Sequence, residues 1–74
     1  MLKVGDYVII NKKAYYGNNY HTELDNLFNK VARIIKSRRS DDNSVTYYTL
    51  DITKNCTFHF EFSERFLINI NNGI

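Results

Sequence analysis

Residues 56–62, Cys56-Thr57-Phe58-His59-Phe60-Glu61-Phe62, alternate apolar and polar positions without a break. Cys56, Phe58, Phe60 and Phe62 fall on one face and Thr57, His59 and Glu61 on the other, the period of a half-buried antiparallel strand. The run before it, residues 45–52, is rich in β-branched and aromatic residues and puts Tyr48, Leu50 and Ile52 on the inner face. Thr53-Lys54-Asn55 separates the two, and Asn55 tolerates the positive φ that the last residue of a three-residue hairpin loop requires. The pattern predicts a hairpin across residues 45–62.

Upstream, Asp6-Tyr7-Val8-Ile9-Ile10 reads as a strand with Val8 and Ile10 inward and Tyr7 and Ile9 outward. Residues 31–36 read as another. Val31 and Ile34 are three apart, which breaks strict alternation and predicts a bulge. Residues 37–44 contain no apolar side chain and form a polar connection. Ser63-Glu64-Arg65-Phe66-Leu67 predicts one helical turn capped by Ser63, and Ile68-Asn69-Ile70 a short last strand before a frayed tail at 71–74. The connection over residues 11–30 is long, and long connections are usually functional or mobile. Its second half reads in two ways: a short helix over residues 23–28, or an ordered excursion pinned by Leu24 and Phe28.

With 74 residues the chain forms one small domain, 1–74, which buries only about 60% of its unfolded surface. The expected core is Val4, Val8, Ile10, Val31, Ile34, Tyr48, Leu50, Ile52, Phe58, Phe60, Phe66 and Leu67, with self-association as a further source of stability. A single cysteine excludes an internal disulfide and fits a reducing compartment. No apolar run approaches the ~20 residues of a membrane span, and the first residues lack a secretory signal. A cytoplasmic protein is expected. Asn, Lys, Ile, Tyr and Phe make up 35 of 74 residues. Their codons are A/T-rich, so the coding bias points to a low-GC bacterium, its phage or another mobile element.

Five short strands, a long first loop and one helical turn before the last strand describe a mainly β, single five-stranded barrel. In these features the chain resembles the SH3-like barrel family in its prokaryotic KOW-type version. The residues that carry the resemblance are Val4-Gly5-Asp6-Tyr7-Val8-Ile9-Ile10, Val31-Ala32-Arg33-Ile34, Tyr48-Thr49-Leu50, Phe58-His59-Phe60 and Ser63-Glu64-Arg65-Phe66-Leu67. The resemblance covers residues 4–70 and implies fold more than function. Signalling members bind proline-rich peptides with a loop aromatic motif, a tryptophan and a proline. This chain has neither Trp nor Pro, and Ala14-Tyr15-Tyr16-Gly17 only echoes the motif. KOW-type members carry a glycine just before the second strand, where Asn29-Lys30 stands here.

For catalysis, the thiol and the two histidines are too dispersed. Cys56 and His59 lie three apart on one predicted strand and face opposite ways, so they make no nucleophile–base pair. Neither paired zinc-ligand spacing nor a phosphate-binding glycine loop is present. No enzyme activity, cofactor or metal is expected.

Two stretches carry candidate binding chemistry. Tyr15, Tyr16, Tyr20 and His21 stand among Gly17, Asn18 and Asn19, the composition of adaptable protein-recognition loops. Some of these tyrosines would instead fold back over a barrel end. Lys30, Arg33, Lys36, Arg38 and Arg39 put five of the ten basic residues into ten positions without an acid. With Tyr7 and Tyr47 as stacking surfaces they read as a nucleic-acid site, or as a solvated hairpin that Asp41 and Asp42 neutralise. The leading expectation is a non-catalytic binding module for a protein partner, such as a mobile-element protein acting on a host factor. The alternatives are a small nucleic-acid-binding accessory protein and a small subunit of a larger complex.

Overall fold

The computed structural model describes residues 2–15, 22–56 and 60–70. Five antiparallel strands, β1 (Tyr7–Ile10), β2 (Val31–Arg39), β3 (Thr46–Leu50), β4 (Phe62–Ser63) and β5 (Leu67–Asn69), join in one sheet of order β4-β3-β2-β1-β5. The helical elements among the described residues are four short 3-10 turns, at Lys12–Tyr15, Thr22–Asn26, Asp51–Thr53 and Glu64–Phe66. The fold is mainly β, as the alternation predicts.

β2 organises the sheet because both halves use it. Its first part pairs with β1, Val8 opposite Ala32 and Ile9 opposite Val31. Its second part pairs with β3, from Lys36 opposite Thr49 to Arg39 opposite Thr46. The register shifts between Ile34 and Lys36, which leaves Ile35 as the extra residue of a bulge. The expected bulge thus exists, but its cause differs. Ala32 and Ile34 are the inward pair, and they alternate normally; Val31 points outward and is 55% exposed. Ala32 takes the inward place expected of Val31. β2 also runs on to Arg39, taking in residues 37–39 of the expected connection.

The entry to β1 depends on Gly5, whose φ of +98° lies in the left-handed region. This lets its N–H reach the Ile34 carbonyl at 2.8 Å, while the Ile34 N–H donates to the Asp6 carbonyl at 2.9 Å. Val4, expected in the core, lies in this turn and is exposed. Leu2 is buried in its stead. Its carbonyl accepts from the Tyr48 hydroxyl at 3.1 Å and its N–H donates to a Glu64 carboxylate oxygen at 3.1 Å.

The hairpin expected over residues 45–62 is opened out. β3 stops at Leu50 because residues 51–53 curl into a 3-10 turn. The buried Thr53 hydroxyl donates to the Leu50 carbonyl at 3.0 Å, and Asp51 accepts the Arg33 N–H at 3.0 Å. β4 is only Phe62–Ser63, with Phe62 opposite Tyr48. A loop of residues 53–55 would have put Phe60 there. The slip is two residues, so the inward phase survives: Phe62 is fully buried, and Phe60 is half-buried with its ring 6.4 Å from that of Phe62. Phe58 and His59 lie outside the described residues.

The core joins Val8, Ile10, Ala32, Ile34, Tyr48, Leu50, Phe62 and Leu67 of the strands with Leu2, Leu24 and Phe28. Ile52, Phe60 and Phe66 pack against it half-buried. The first connection is pinned by Leu24 and Phe28, one of the two expected arrangements. It forms a 3-10 turn at Thr22–Asn26 in place of a helix over 23–28. The turn ends at Asn29 with φ +70°, a left-handed conformation that asparagine tolerates better than most residues. The helical turn before the last strand is present at Glu64–Phe66, preceded by Ser63, whose side chain makes no capping bond.

Candidate functional site

A groove of about 480 Å³ opens where β1 leaves the sheet. Ile9, Ile10 and Ile68 form its apolar side, Tyr15 and Asn29 border it, and Asn11, Lys12 and Lys13 complete the lining. Local chemistry turns the chain here. The Asn11 N–H donates to the Phe66 carbonyl at 2.7 Å, and its side-chain oxygen accepts the Lys13 N–H at 3.2 Å. The Ala14 N–H closes the turn on the Asn11 carbonyl at 3.0 Å. Such an asparagine-capped turn competes with strand continuation. It swings Tyr15 back against Phe66 and Phe28, with ring centroids 4.8 and 5.8 Å apart. Lys12 sets its ammonium 5.7 Å above the Phe28 ring.

The strand register extends the apolar surface beyond the groove. Val31 and Ile68 both stand opposite Ile9, on β2 and β5, so the three share the outward face. Val31 and Ile68 are each about half exposed, as is Tyr7 on the same face beside Arg33. Together these residues make a small apolar strip with cations near its ends.

Of the tyrosine set, Tyr15 is described and serves two purposes. Half-buried, it covers one end of the core, and burial pushes its hydroxyl pKa up. It also borders the groove. Tyr16, Tyr20 and His21 lie outside the described residues. Ile68, Lys12, Lys13 and Asn29 were not singled out from the sequence. The pairing of β5 with β1 brings Ile68 to the groove, and no local pattern encodes that pairing.

The bulge at Ile35 puts Lys36 and Arg38 on the outward face with Arg33, spread along β2. Lys36 and Arg38 share a face with Thr49 and Tyr47, whereas Arg39 points the other way. Arg38 is engaged: it forms a two-pronged bond with Glu61, Nε to Oε2 at 3.0 Å and Nη2 to Oε1 at 2.8 Å. Its guanidinium lies 5.0 Å from the Tyr47 ring centre, and Glu61 holds it in the charged form. Arg39 donates to the Asn43 carbonyl. Lys36 lines a second hollow of about 410 Å³ with Lys54, Thr49, Thr53, Phe60 and Glu61. Arg33 stands opposite Tyr7 on the other part of the strand, and Lys30 is exposed before it. Tyr47, expected as a stacking surface, is covered by Arg38.

Among the described residues no three or more His, Cys, Asp or Glu side chains are grouped to hold a metal ion. No described helix is long and apolar enough to cross a membrane. Cys56 is half-buried, its N–H bonded to the Thr53 carbonyl at 3.1 Å. Comparison with family models, curated proteins and solved structures finds no match to this chain, so its own geometry is the ground for a functional reading.

Proposed function

We propose that this chain is a non-catalytic binding module with an SH3-like barrel, and that it engages a protein partner through the groove beside Tyr15. The architectural part rests on the strand order, on the bulged β2 shared by both halves of the sheet and on the 3-10 turn between β4 and β5. The observation that carries the functional part is the groove itself. It combines apolar side chains on rigid strands with polar side chains on a turn, the usual make-up of a recognition site. Tyr16 follows Tyr15 directly in the chain, Tyr20 and His21 stand a few positions on, and all three belong to the same reading. The engagement of Arg38 by Glu61 and of Arg39 by the Asn43 carbonyl favours a protein partner over a nucleic acid.

Selection of random peptides on the immobilised full chain tests this. Bound peptides should perturb the amide resonances of Ile9, Tyr15 and Ile68 in a ¹⁵N spectrum. Absence of any enriched peptide, or perturbations confined to residues 36–39 and 47, refutes the groove as the binding site.

A further inference from the structure

The groove has a chemical character that narrows its partner, given the protein-binding reading on which this step rests. Among its lining residues two are lysines and none is a carboxylate. Five of the described carboxylates are held elsewhere, Asp6 among them by the Lys3 N–H at 3.0 Å. Glu61 pairs with Arg38, Asp42 with Ser40 and Ser44, Glu64 with the Leu2 N–H and Asp51 with the Arg33 N–H. Lys30 and Arg33 flank Val31 at the other end of the apolar strip. The site is therefore an apolar floor between cations.

Two physical arguments select among occupants. A twofold contact with a second copy would set the cations at the ends of one strip, Lys12 and Lys13 or Lys30 and Arg33, against cations at the ends of the other, a like-charge arrangement that opposes it. The strip is also small. Tyr7, Val31 and Ile68 are half exposed and together offer a few hundred Å², against the ~800 Å² per partner of a stable protein interface. A short segment suits that area, and charge complementarity sets its composition.

We infer that the occupant is an acidic, apolar segment of a partner polypeptide. Leucine, isoleucine or phenylalanine side chains enter between Ile9, Ile68 and Tyr15, and flanking Asp or Glu carboxylates meet Lys12 and Lys13. The apolar contacts supply affinity, and the charges supply orientation and partner choice.

The test uses the peptides enriched on the full chain, synthesised with a fluorescent label and titrated by anisotropy. Enriched sequences should carry at least two Asp or Glu beside their apolar residues. Binding should be lost in Ile68→Ser. It should weaken about tenfold in the double variant Lys12→Gln/Lys13→Gln and in peptides with Asp/Glu changed to Asn/Gln, and the difference should shrink as salt is raised. Circular dichroism and melting of each variant establish that it is folded. Peptides sensitive to Ile68→Ser but without acidic residues, and indifferent to the lysine changes, would overturn this inference and leave the binding module standing. No peptide sensitive to Ile68→Ser would overturn both. A dimer in sedimentation at ~100 μM that Ile68→Ser dissociates would make the occupant a second copy, again against the inference.

Discussion

Ile34 and Val31 sit three residues apart on β2, one wholly buried and the other 55% exposed, and they offer a direct test of that strand's facing. Ile34→Val removes one methylene from a site that admits no solvent. The usual cost is 0.5–1.5 kcal/mol, so about 1 kcal/mol is expected. Val31→Ala removes two methyl groups, but from a side chain already half in water. A change within about 0.5 kcal/mol is expected there. At about 0.05–0.15 kcal/mol per residue, 74 residues carry roughly 4–11 kcal/mol, so both variants remain folded and measurable. The chain has six tyrosines and no tryptophan, so far-UV dichroism and tyrosine emission in urea are the suitable probes. With a slope near 1 kcal/mol per molar, Ile34→Val should lower the midpoint by about 1 M. Its melting temperature should fall by ~4–8 °C. A one-residue change of register would exchange the two faces of the strand. A larger loss in Val31→Ala than in Ile34→Val would therefore refute the inward placement of Ala32 and Ile34, and with it the location of the bulge at Ile35.

Tyr48→Phe tests the tie between β3 and the first residues. It leaves the ring in the core and the Leu2 carbonyl without its donor, at a cost of about 1 kcal/mol and up to ~3 kcal/mol if water does not reach that oxygen. An unchanged melting temperature would show that the bond contributes nothing to stability. Asp42 tests the β2–β3 turn by pH. Bonds from the Ser40 hydroxyl, the Ser44 hydroxyl and the Ser44 N–H hold its carboxyl at a pKa of about 2, below the ordinary 3.8. A depressed folded-state pKa gives stability that is present above about pH 4 and lost as pH falls toward 2. Wild type should therefore lose more stability than Asp42→Asn between pH 4 and pH 2; parallel curves would refute the role of the serines.

The sequence made legible what alternation and local turn chemistry encode. Val8 and Ile10 inward with Ile9 outward, the turn at Glu64–Phe66 and the pinning by Leu24 and Phe28 all follow from patterns within a few residues. Pairing over longer separations was another matter. Phe62 opposite Tyr48, rather than Phe60, depends on how residues 51–53 curl, and a period of two cannot distinguish registers that differ by two. Val31 misled because valine favours both burial and strand, while Ala32, the true inward residue, is small and depleted in strands. The groove was legible only at Tyr15. Its apolar side comes from Ile9 and Ile68, fifty-nine positions apart and joined by register alone.

Because β2 contributes hydrogen bonds to β1 through its first residues and to β3 through its last, the two halves of the sheet share one backbone. Neither can separate without disturbing a strand the other also needs. Exchange of the slowest amides should accordingly report one cooperative unit, with Ala32 near β1 and Arg38 near β3 opening at the same free energy. The bulge at Ile35 bends this shared strand without breaking its continuity. Small as it is, the chain is built to melt all at once, so a partner that grips β1 and β5 would raise the protection of the distant β3 as well.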